Sequence, residues 1–323
     1  MKALALLSGG LDGRLAARLV REQGVETEAV HFETAFLRAE RTRAARSTPE
    51  LPVEVVDVAR EHFESVVVRP KHGYGTAMNP CIDCRIFMLR KAASLARERG
   101  ADLVVTGEVL GQTRMSQRRE SLLRIERESG LVGRLLRPLS AAHLPPTAAE
   151  TDGRIDRSRL GDLEGRSRTA QQALARGLGV GDGPAPGSGC CLLADLGFSR
   201  RLRDLLAHGG SSYPGRDGLL RLRLGRHFRV SHGVKAVVAR NDEEGRILAG
   251  LAAGLWTCRS EGGGALTIVE GEPDDAGLAR AAALAARYGA GRDDSLCGVV
   301  CRRGAEERRV EVRPDAEPER FLV

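Results

Sequence analysis

Aromatic residues and long apolar runs are both scarce in this 323-residue chain, in which Phe, Trp and Tyr together make up 3%. No apolar run approaches the ~20 residues that a membrane-spanning helix needs, so no transmembrane segment is predicted. The apolar start is too short for a signal peptide and passes directly into a glycine turn. We therefore expect a cytoplasmic protein with no membrane partner.

The charge balance is basic. The chain has 50 Lys and Arg against 43 Asp and Glu, a formal net charge of +7. A basic surface favours polyanions such as RNA, DNA or nucleotides, although an arginine-rich genome produces the same balance. Seven cysteines in a reducing compartment are expected to be thiols or metal ligands rather than disulfides.

Predicted strands and helices alternate through the first part of the chain. Strands are predicted at 2–7, 25–32, 52–58 and 101–107, and helices at 11–23, 82–100 and 116–130. This alternation predicts an α/β fold with a doubly wound parallel sheet. A more polar helical extension over 145–189 completes a first domain, residues 1–208. After the linker "SSYPGRDG" we expect a second, smaller α+β domain over 215–323.

A glycine turn joins the first predicted strand to the first predicted helix, and it consists of Ser8, Gly9, Gly10, Leu11 and Asp12. Glycines let backbone amides approach a ligand closely, and a helix N-terminus offers free N–H groups with a partial positive charge. The turn is therefore predicted to cradle phosphates, with Asp12 helping to hold Mg²⁺. It is neither a Walker loop nor a G-x-G-x-x-G fingerprint.

The stretch "SGGLDG" resembles the PP-loop, S-G-G-x-D-S, of the N-type ATP pyrophosphatases. This resemblance implies that the turn binds ATP, which is split between its α and β phosphates to adenylate a carbonyl oxygen. Gly13 stands where the PP-loop has its last serine, so one phosphate-binding hydroxyl is missing. Thr106 and Gly107 end a later predicted strand at the carboxyl edge of the sheet, where ligands of open α/β sheets bind, and we expect them beside the nucleotide.

The cysteines of "NPCIDC", Cys81 and Cys84, lie at the start of a predicted helix and on one of its faces. Thiolates are favoured near a helix N-terminus, and "GSGCCLLAD" supplies Cys190 and Cys191 later in the chain. Cys81, Cys84 and Cys191 suit three ligands of a four-iron four-sulfur cluster. Alternatively, Cys191 carries a persulfide that a cysteine of the CxxC resolves, or the thiols and Cys190 bind zinc. Buried, unreactive thiols are the remaining interpretation.

Several segments together resemble a ThiI-type subfamily of the tRNA thiouridylases over roughly residues 1–208: "NPCIDCRIFMLRKA", "TGEVLGQTRMSQ", "LLRPLSA", "EGRSR" and "CCLLAD". The resemblance implies that a tRNA uridine is adenylated with ATP and that sulfur then displaces AMP. The sulfur reaches Cys81, Cys84 and Cys191 from a donor, either a protein persulfide or sulfide. The family's Gly-Gly-Cys aligns with Gly189, Cys190 and Cys191. We expect a [4Fe–4S] cluster on the three thiols to take part.

Two segments near the C-terminus, "GVKAVVARNDEEGRI" and "GGGALTIVEGEP", resemble an NFACT-R RNA-binding domain. Between Arg216 and Arg240 there are seven basic residues and one acid. Alternation in "RLRLGRHFRV" predicts several arginines on one strand face, which suits a phosphate backbone. The predicted RNA-binding residues are Arg221, Arg223, Arg226, Arg229, Lys235 and Arg240.

Two other functions fit parts of the sequence. A chain whose PP-loop is degenerate at Gly13 would be a non-catalytic RNA-binding factor, and it would release no AMP from ATP. A PP-loop enzyme that acts on a small molecule, such as an amidating ligase, would not need residues 215–323.

Overall fold

The computed structural model describes residues 1–37, 39–46, 48, 51–181 and 191–323. They form two compact units, Met1–Asp195 and Leu196–Val323. No helix in these described ranges is both long and apolar enough to cross a membrane. The elements of the first unit are β1 (Lys2–Leu6), α1 (Leu11–Arg21), β2 (Glu26–Glu33), α2 (Ala39–Arg46), β3 (Val53–Asp57), α3 (Ala59–His62), α4 (Cys81–Glu98), β4 (Leu103–Thr106), α5 (Arg119–Ser129), β5 (Leu135–Leu136), α6 (Ala148–Thr151) and α7 (Thr169–Leu178).

The sheet of the first unit has five strands in the order β3-β2-β1-β4-β5, and its pairings are parallel. The chain moves from β1 through β2 to β3 and then returns to place β4 on the other side of β1. The strand order therefore reverses between β1 and β4, which is the point where open α/β sheets bind ligands. The predicted doubly wound parallel sheet is confirmed.

Both faces of this sheet are covered, because successive side chains of a strand point to opposite faces. Ala3 and Ala5 of β1 pack in a core with residues of α1 and α7, whereas Leu4 packs with residues of α4 and α5. A strand buried on both faces has a continuous apolar sequence rather than an alternating one, as "ALALL" shows.

The predicted helical extension at 145–189 is only partly helical. It contains the short helix α6 and the ten-residue helix α7, joined largely by turns. Its Pro-Gly-rich end, residues 182–189, lies outside the described residues.

A buried ion pair holds the loop that follows β4. The Arg137 and Glu108 side chains are each 2% exposed and lie 2.9 Å apart. Arg137 also donates to Glu126 at 2.7 Å and to the Leu122 carbonyl at 3.0 Å. Burial raises the pKa of Glu108, but the guanidinium charges of Arg137 and Arg85 outweigh it and hold that pKa below its usual value.

The second unit contains α8 (Leu196–Gly209), α9 (Gly215–Arg221), β6 (Arg226–Ser231), β7 (Val234–Val238), α10 (Asp242–Gly250), β8 (Trp256–Ser260), β9 (Thr267–Glu270), α11 (Asp275–Arg287), β10 (Cys297–Arg303) and β11 (Glu306–Val312). Its antiparallel sheet has the order β11-β10-β8-β9-β7-β6. The alanine-rich α11 packs on one face, and Leu248 of α10 packs on the other. The predicted second α+β domain is confirmed.

The division between the units differs from the predicted one. Helix α8 was expected in the first domain, but it belongs to the second unit, which begins at Leu196. Arg229 on β6 donates to both carboxylate oxygens of Asp204 on α8, at 2.9 and 2.6 Å. This bidentate pair ties the helix to the second sheet. The stretch "SSYPGRDG", whose last four residues belong to α9, therefore lies within one unit.

The arginines of "RLRLGRHFRV" do not share one strand face, and that part of the prediction is wrong. Helix α9 ends at Arg221 and strand β6 begins at Arg226. Gly225 lies between them with a φ of 68°, and a Cβ atom there would lie 2.6 Å from the Val238 carbonyl oxygen. A tight glycine turn therefore divides the stretch between a helix and a strand.

We predict that Arg137→Met lowers the unfolding free energy by about 3 to 5 kcal/mol, because it leaves the Glu108 carboxylate buried without its partner. Urea unfolding measures this loss. The matched control is Arg60→Met, which removes an exposed pair with Glu64 and should cost at most about 1 kcal/mol. Equal losses in the two variants would contradict the buried pair.

A second prediction concerns pH and the second unit. His227 is 1% exposed, and burial, with the charges of Lys235 and Arg201, lowers its pKa to about 3. The unfolded chain takes up this proton near pH 6.5, whereas the folded state does so only near pH 3. Stability should therefore fall as the pH drops below about 6.5, by about 2 to 3 kcal/mol at pH 4.5.

Denaturant unfolding followed by the single tryptophan, Trp256, measures this pH dependence in the second unit. His227→Gln should flatten it. Substitution of the exposed His232 by Gln should leave it unchanged. If His227→Gln kept the full slope, another group would be responsible.

Candidate active site

The predicted phosphate turn lies at the switch point of the parallel sheet. Strand β1 ends at Leu6 and α1 begins at Leu11. Gly9 has a φ of 73°, a conformation that favours glycine. Gly10 is the N-cap residue of α1 and forms no side-chain hydrogen bond. The first backbone N–H groups of the helix are therefore not occupied by a capping side chain. These features make the N-terminus of α1 suitable for an anion.

The end of β4 meets the same turn, backbone against backbone. A Cβ atom at Gly107 would lie 2.3 Å from the Asp12 carbonyl carbon and 2.3 Å from the Gly13 nitrogen. Only glycine allows this approach. The Thr106 side chain is buried and its hydroxyl donates to Glu108 at 3.2 Å. Thr106 and Gly107 thus lie at the predicted edge, and their contact with a nucleotide stays a prediction.

The two carboxylate oxygens of Asp12 differ in their partners. Its Oδ2 accepts a hydrogen bond from Gln112 Nε2 at 3.0 Å and lies 3.9 Å from Arg168 Nη2. Its Oδ1 is buried and has no hydrogen-bond partner. A buried carboxylate oxygen without a partner is unfavourable. A cation held between this oxygen and bound phosphates would satisfy it, so the site fits Mg²⁺ and ATP.

Gln112 and Arg168 are site residues that sequence reasoning missed. They belong to "TGEVLGQ" and "EGRSR", two of the motifs that carry the family resemblance. That origin was the one available signal, because neither spacing nor composition relates them to Asp12.

Cys81 and Cys84 lie in the first turn of α4, as predicted, directly after Pro80. Asn79 Nδ2 donates to Cys81 Sγ at 3.2 Å, and His62 Nε2 lies 3.3 Å from Cys84 Sγ. Each thiol therefore has a nitrogen within hydrogen-bonding distance. Because α4 leads through a short connection into β4, its N-terminus lies on the side of the sheet's carboxyl edge.

His62 is enclosed by aromatic rings. Its ring centre lies 6.0 Å from that of Phe36 and 5.6 Å from that of Phe87. Burial lowers the pKa of His62 to about 4, so the imidazole beside Cys84 is neutral at pH 7. Its tautomer decides whether Nε2 donates to the thiol or accepts from it.

The segment that carries Cys191 is held beside the CxxC loop. The backbones of Cys191 and Leu37 pair in an isolated antiparallel β-bridge, and the Met78 amide donates to the Leu193 carbonyl at 3.1 Å. Gly189 and Cys190 lie outside the described residues. Among the residues that are described, no three His, Cys, Asp or Glu side chains are arranged to hold a metal ion.

One loop, residues 107–118, connects the phosphate turn to the thiols. Gln112 in this loop contacts Asp12 at 3.0 Å. Met115 Sδ in the same loop lies 4.0 Å from the Asn79 Nδ2 that donates to Cys81. The phosphate turn and the CxxC therefore flank one loop at one edge of the sheet.

The predicted RNA-binding residues are largely paired within the second unit. The Lys235 side chain is 2% exposed and lies 2.9 Å from Glu270, so Lys235 is an interior residue. Arg221 pairs with Glu270 and Arg240 with Glu244, and Arg229 pairs with Asp204 as described above. Arg223 is exposed, and Arg226 lies 5.0 Å from the centre of the Tyr288 ring.

Each of the two units contains a match to a different family model. Residues 1–143 match the family model described as thiamine biosynthesis protein (ThiI), and residues 225–320 match that of the NFACT protein RNA binding domain. A tRNA-specific 2-thiouridylase MnmA of Syntrophomonas wolfei is 40% identical over 33% of this chain and 33% of its own length. A probable tRNA sulfurtransferase of Thermococcus kodakarensis is 31% identical over 43% of this chain and 36% of its own length.

The chain thus spans about a third of the length of these curated relatives. Among solved structures, a 4-thiouridine synthetase in complex with RNA and bound ATP is similar, with 23% identity and a TM-score of 0.35. The match covers 55% of this chain and 51% of the synthetase chain. Residues 1–143 are thus similar to the ThiI family, and residues 225–320 are similar to the NFACT protein RNA binding domain.

Proposed function

We propose that this protein is an ATP-dependent tRNA sulfurtransferase. It adenylates a carbonyl oxygen of a tRNA uridine and replaces that oxygen with sulfur. The observation that carries the proposal is the placement of a phosphate turn and a CxxC around one loop of a ThiI-family domain, with contacts to Asp12 and Asn79. An adenylating centre and a sulfur carrier are the two parts that this reaction needs.

In the proposed reaction the turn from Ser8 to Asp12 binds the triphosphate, and the amides at the start of α1 face its charge. Mg²⁺, when bound, neutralises phosphate charge, and Asp12 Oδ1 is the oxygen available to it. Fixed donors aimed at the leaving pyrophosphate need no reorganisation as charge develops. The main contribution of this part of the chain is positioning and electrostatic stabilisation.

Cys81, Cys84 and Cys191 are proposed to deliver the sulfur. In a persulfide relay, the outer sulfur on Cys191 attacks the adenylated carbon and AMP leaves. A CxxC thiol then attacks the Cys191 sulfur, which releases the thiolated uridine and leaves a protein disulfide for an external dithiol to reduce. The outer sulfur of that persulfide comes from the persulfide of a donor protein, which the Cys191 thiolate attacks while the donor thiol leaves. Sulfide alone is the donor only in the cluster form.

A [4Fe–4S] cluster on the same thiols is the other form of the proposal, and it would supply sulfide chemistry at an open iron. The described thiols are not arranged as a ready ligand set, so we derive no step through a cluster. Iron analysis decides between the two forms.

The second unit is proposed to bind the tRNA. Its match to the NFACT RNA binding domain supports this role, and the net charge of the whole chain, +7, suits a polyanionic partner. Arg221, Arg229, Lys235 and Arg240 already form internal ion pairs, so Arg223 and Arg226 are the better candidates for phosphate contacts. A tRNA substrate agrees with the cytoplasmic location that we predict.

The test of this function is anaerobic incubation of the full chain with ATP, tRNA and a dithiol, with either sulfide or a persulfide-loaded donor protein as the sulfur source. We expect AMP and, by nucleoside mass spectrometry, thiouridine. Asp12→Asn should lower the rate by about 10² to 10³ because it removes charge from the phosphate site. Gly13→Ser is the matched control, since it keeps Asp12 and adds the hydroxyl of the family motif, and it should retain the rate.

The alternatives give other results in the same assay. Absence of AMP formation would favour a non-catalytic RNA-binding factor. AMP that forms with a small acceptor and without tRNA would favour an enzyme acting on a small molecule.

A fourth prediction concerns the thiols. Cys81→Ala, Cys84→Ala and Cys191→Ala should each abolish thiouridine formation and leave ATP binding intact, whereas Cys297→Ala in the second unit should retain activity. Anaerobically purified protein with about four irons per chain, lost in Cys84→Ala, supports the cluster. Iron-free, active protein supports the relay. Full activity in all three variants would refute a role for the thiols.

A further inference from the structure

We propose that Arg168 is a phosphate-binding residue of the nucleotide site, with the β and γ phosphates of ATP as its ligand. The inference rests on the proposed use of ATP and assigns a residue to that site. Its guanidinium lies 3.9 Å from Asp12 Oδ2, although the two residues are far apart in the sequence and belong to different elements.

Backbone hydrogen bonds bring Arg168 to the phosphate turn. The Gly165 amide donates to the Leu110 carbonyl at 2.7 Å, and Leu110 and Glu164 form a parallel bridge. A Cβ atom at Gly111 would lie 3.3 Å from the Gly165 nitrogen, so the two segments touch. The loop that carries Gln112 and the segment that carries Arg168 are therefore held side by side.

Ser140 fixes both segments to the body of the unit. Its buried hydroxyl accepts from the Leu110 amide at 2.9 Å and donates to the Leu163 carbonyl at 2.5 Å. Because these bonds involve the main chain, the position of the segment does not depend on the Arg168 side chain. Replacing Arg168 should accordingly leave the fold intact.

The contact with Asp12 leaves the guanidinium available to a ligand. At 3.9 Å it is longer than an N–H···O hydrogen bond, and the Arg168 side chain is 40% exposed. Gln112 already donates to the same oxygen at 3.0 Å. A guanidinium presents several donors in a planar fork that matches a phosphate group. The unpartnered Asp12 Oδ1 is the independent sign that a ligand completes this site.

The opposite charges of Asp12 and Arg168 imply two different ways of contacting the triphosphate. A carboxylate reaches phosphates through a cation, whereas a guanidinium binds phosphate oxygens directly. When the bond between the α and β phosphates breaks, negative charge develops on the pyrophosphate. A fixed positive charge at this position stabilises it. Arg168 is therefore expected to distinguish a nucleoside triphosphate from AMP.

The test is calorimetric titration of the full chain with α,β-methylene-ATP, a non-cleavable triphosphate, and separately with AMP, both with Mg²⁺. Arg168→Ala should weaken binding of the triphosphate by about tenfold or more and change AMP binding by less than about twofold. Arg168→Lys keeps the charge without the fork and should give an intermediate loss. Arg166→Ala, at an exposed position of the same segment, is the matched control and should bind as the wild type does.

The outcomes separate this inference from the proposed function. If the wild type binds the triphosphate and Arg168→Ala binds it equally well, Arg168 is an ordinary surface ion pair and the inference fails alone. Equal weakening of triphosphate and AMP binding, with an unchanged melting temperature, also overturns it. A wild type that binds neither nucleotide overturns the proposed function and this inference together.

Discussion

The backbone contact between Gly107 and the first turn of α1 is the constraint on which the candidate site depends. A side chain at Gly107 would collide with the Asp12 carbonyl carbon at 2.3 Å, so the ends of β1 and β4 can meet only because this position is glycine. The contact closes the switch point of the sheet. It also starts the loop, 107–118, that contacts Asp12 through Gln112 and Asn79 through Met115. The Glu108–Arg137 pair then holds that loop from the interior.

Amide side chains donate hydrogen bonds to two of the proposed functional groups in the first unit. Asp12 receives a hydrogen bond from Gln112, and Cys81 receives one from Asn79. The loop that carries Gln112 is itself held by a hydrogen bond from the Leu110 amide to the Ser140 hydroxyl. Such an arrangement provides preorganisation, because donors that are already oriented lose little entropy when a substrate binds.

In the second unit, many of the basic side chains form internal ion pairs. Asp204 and Glu270 each form ion pairs with basic residues of the region predicted to bind RNA. A buried lysine such as Lys235 requires a carboxylate partner, and Glu270 provides it. A basic composition therefore overstates the positive surface, because part of the charge is compensated by acids that are distant in sequence.

The sequence by itself determined the main element types, the parallel sheet, the glycine turn between β1 and α1, and the CxxC at a helix start. Each of these follows from local periodicity, glycine placement and helix-end chemistry, which act over a few residues. Only the tertiary structure decided which arginines of the second unit form internal ion pairs, where the units divide, and that Gln112 and Arg168 meet Asp12. The reason is physical: ion pairs and loop contacts join residues far apart in the chain, and their formation depends on which segments the packed sheet brings together.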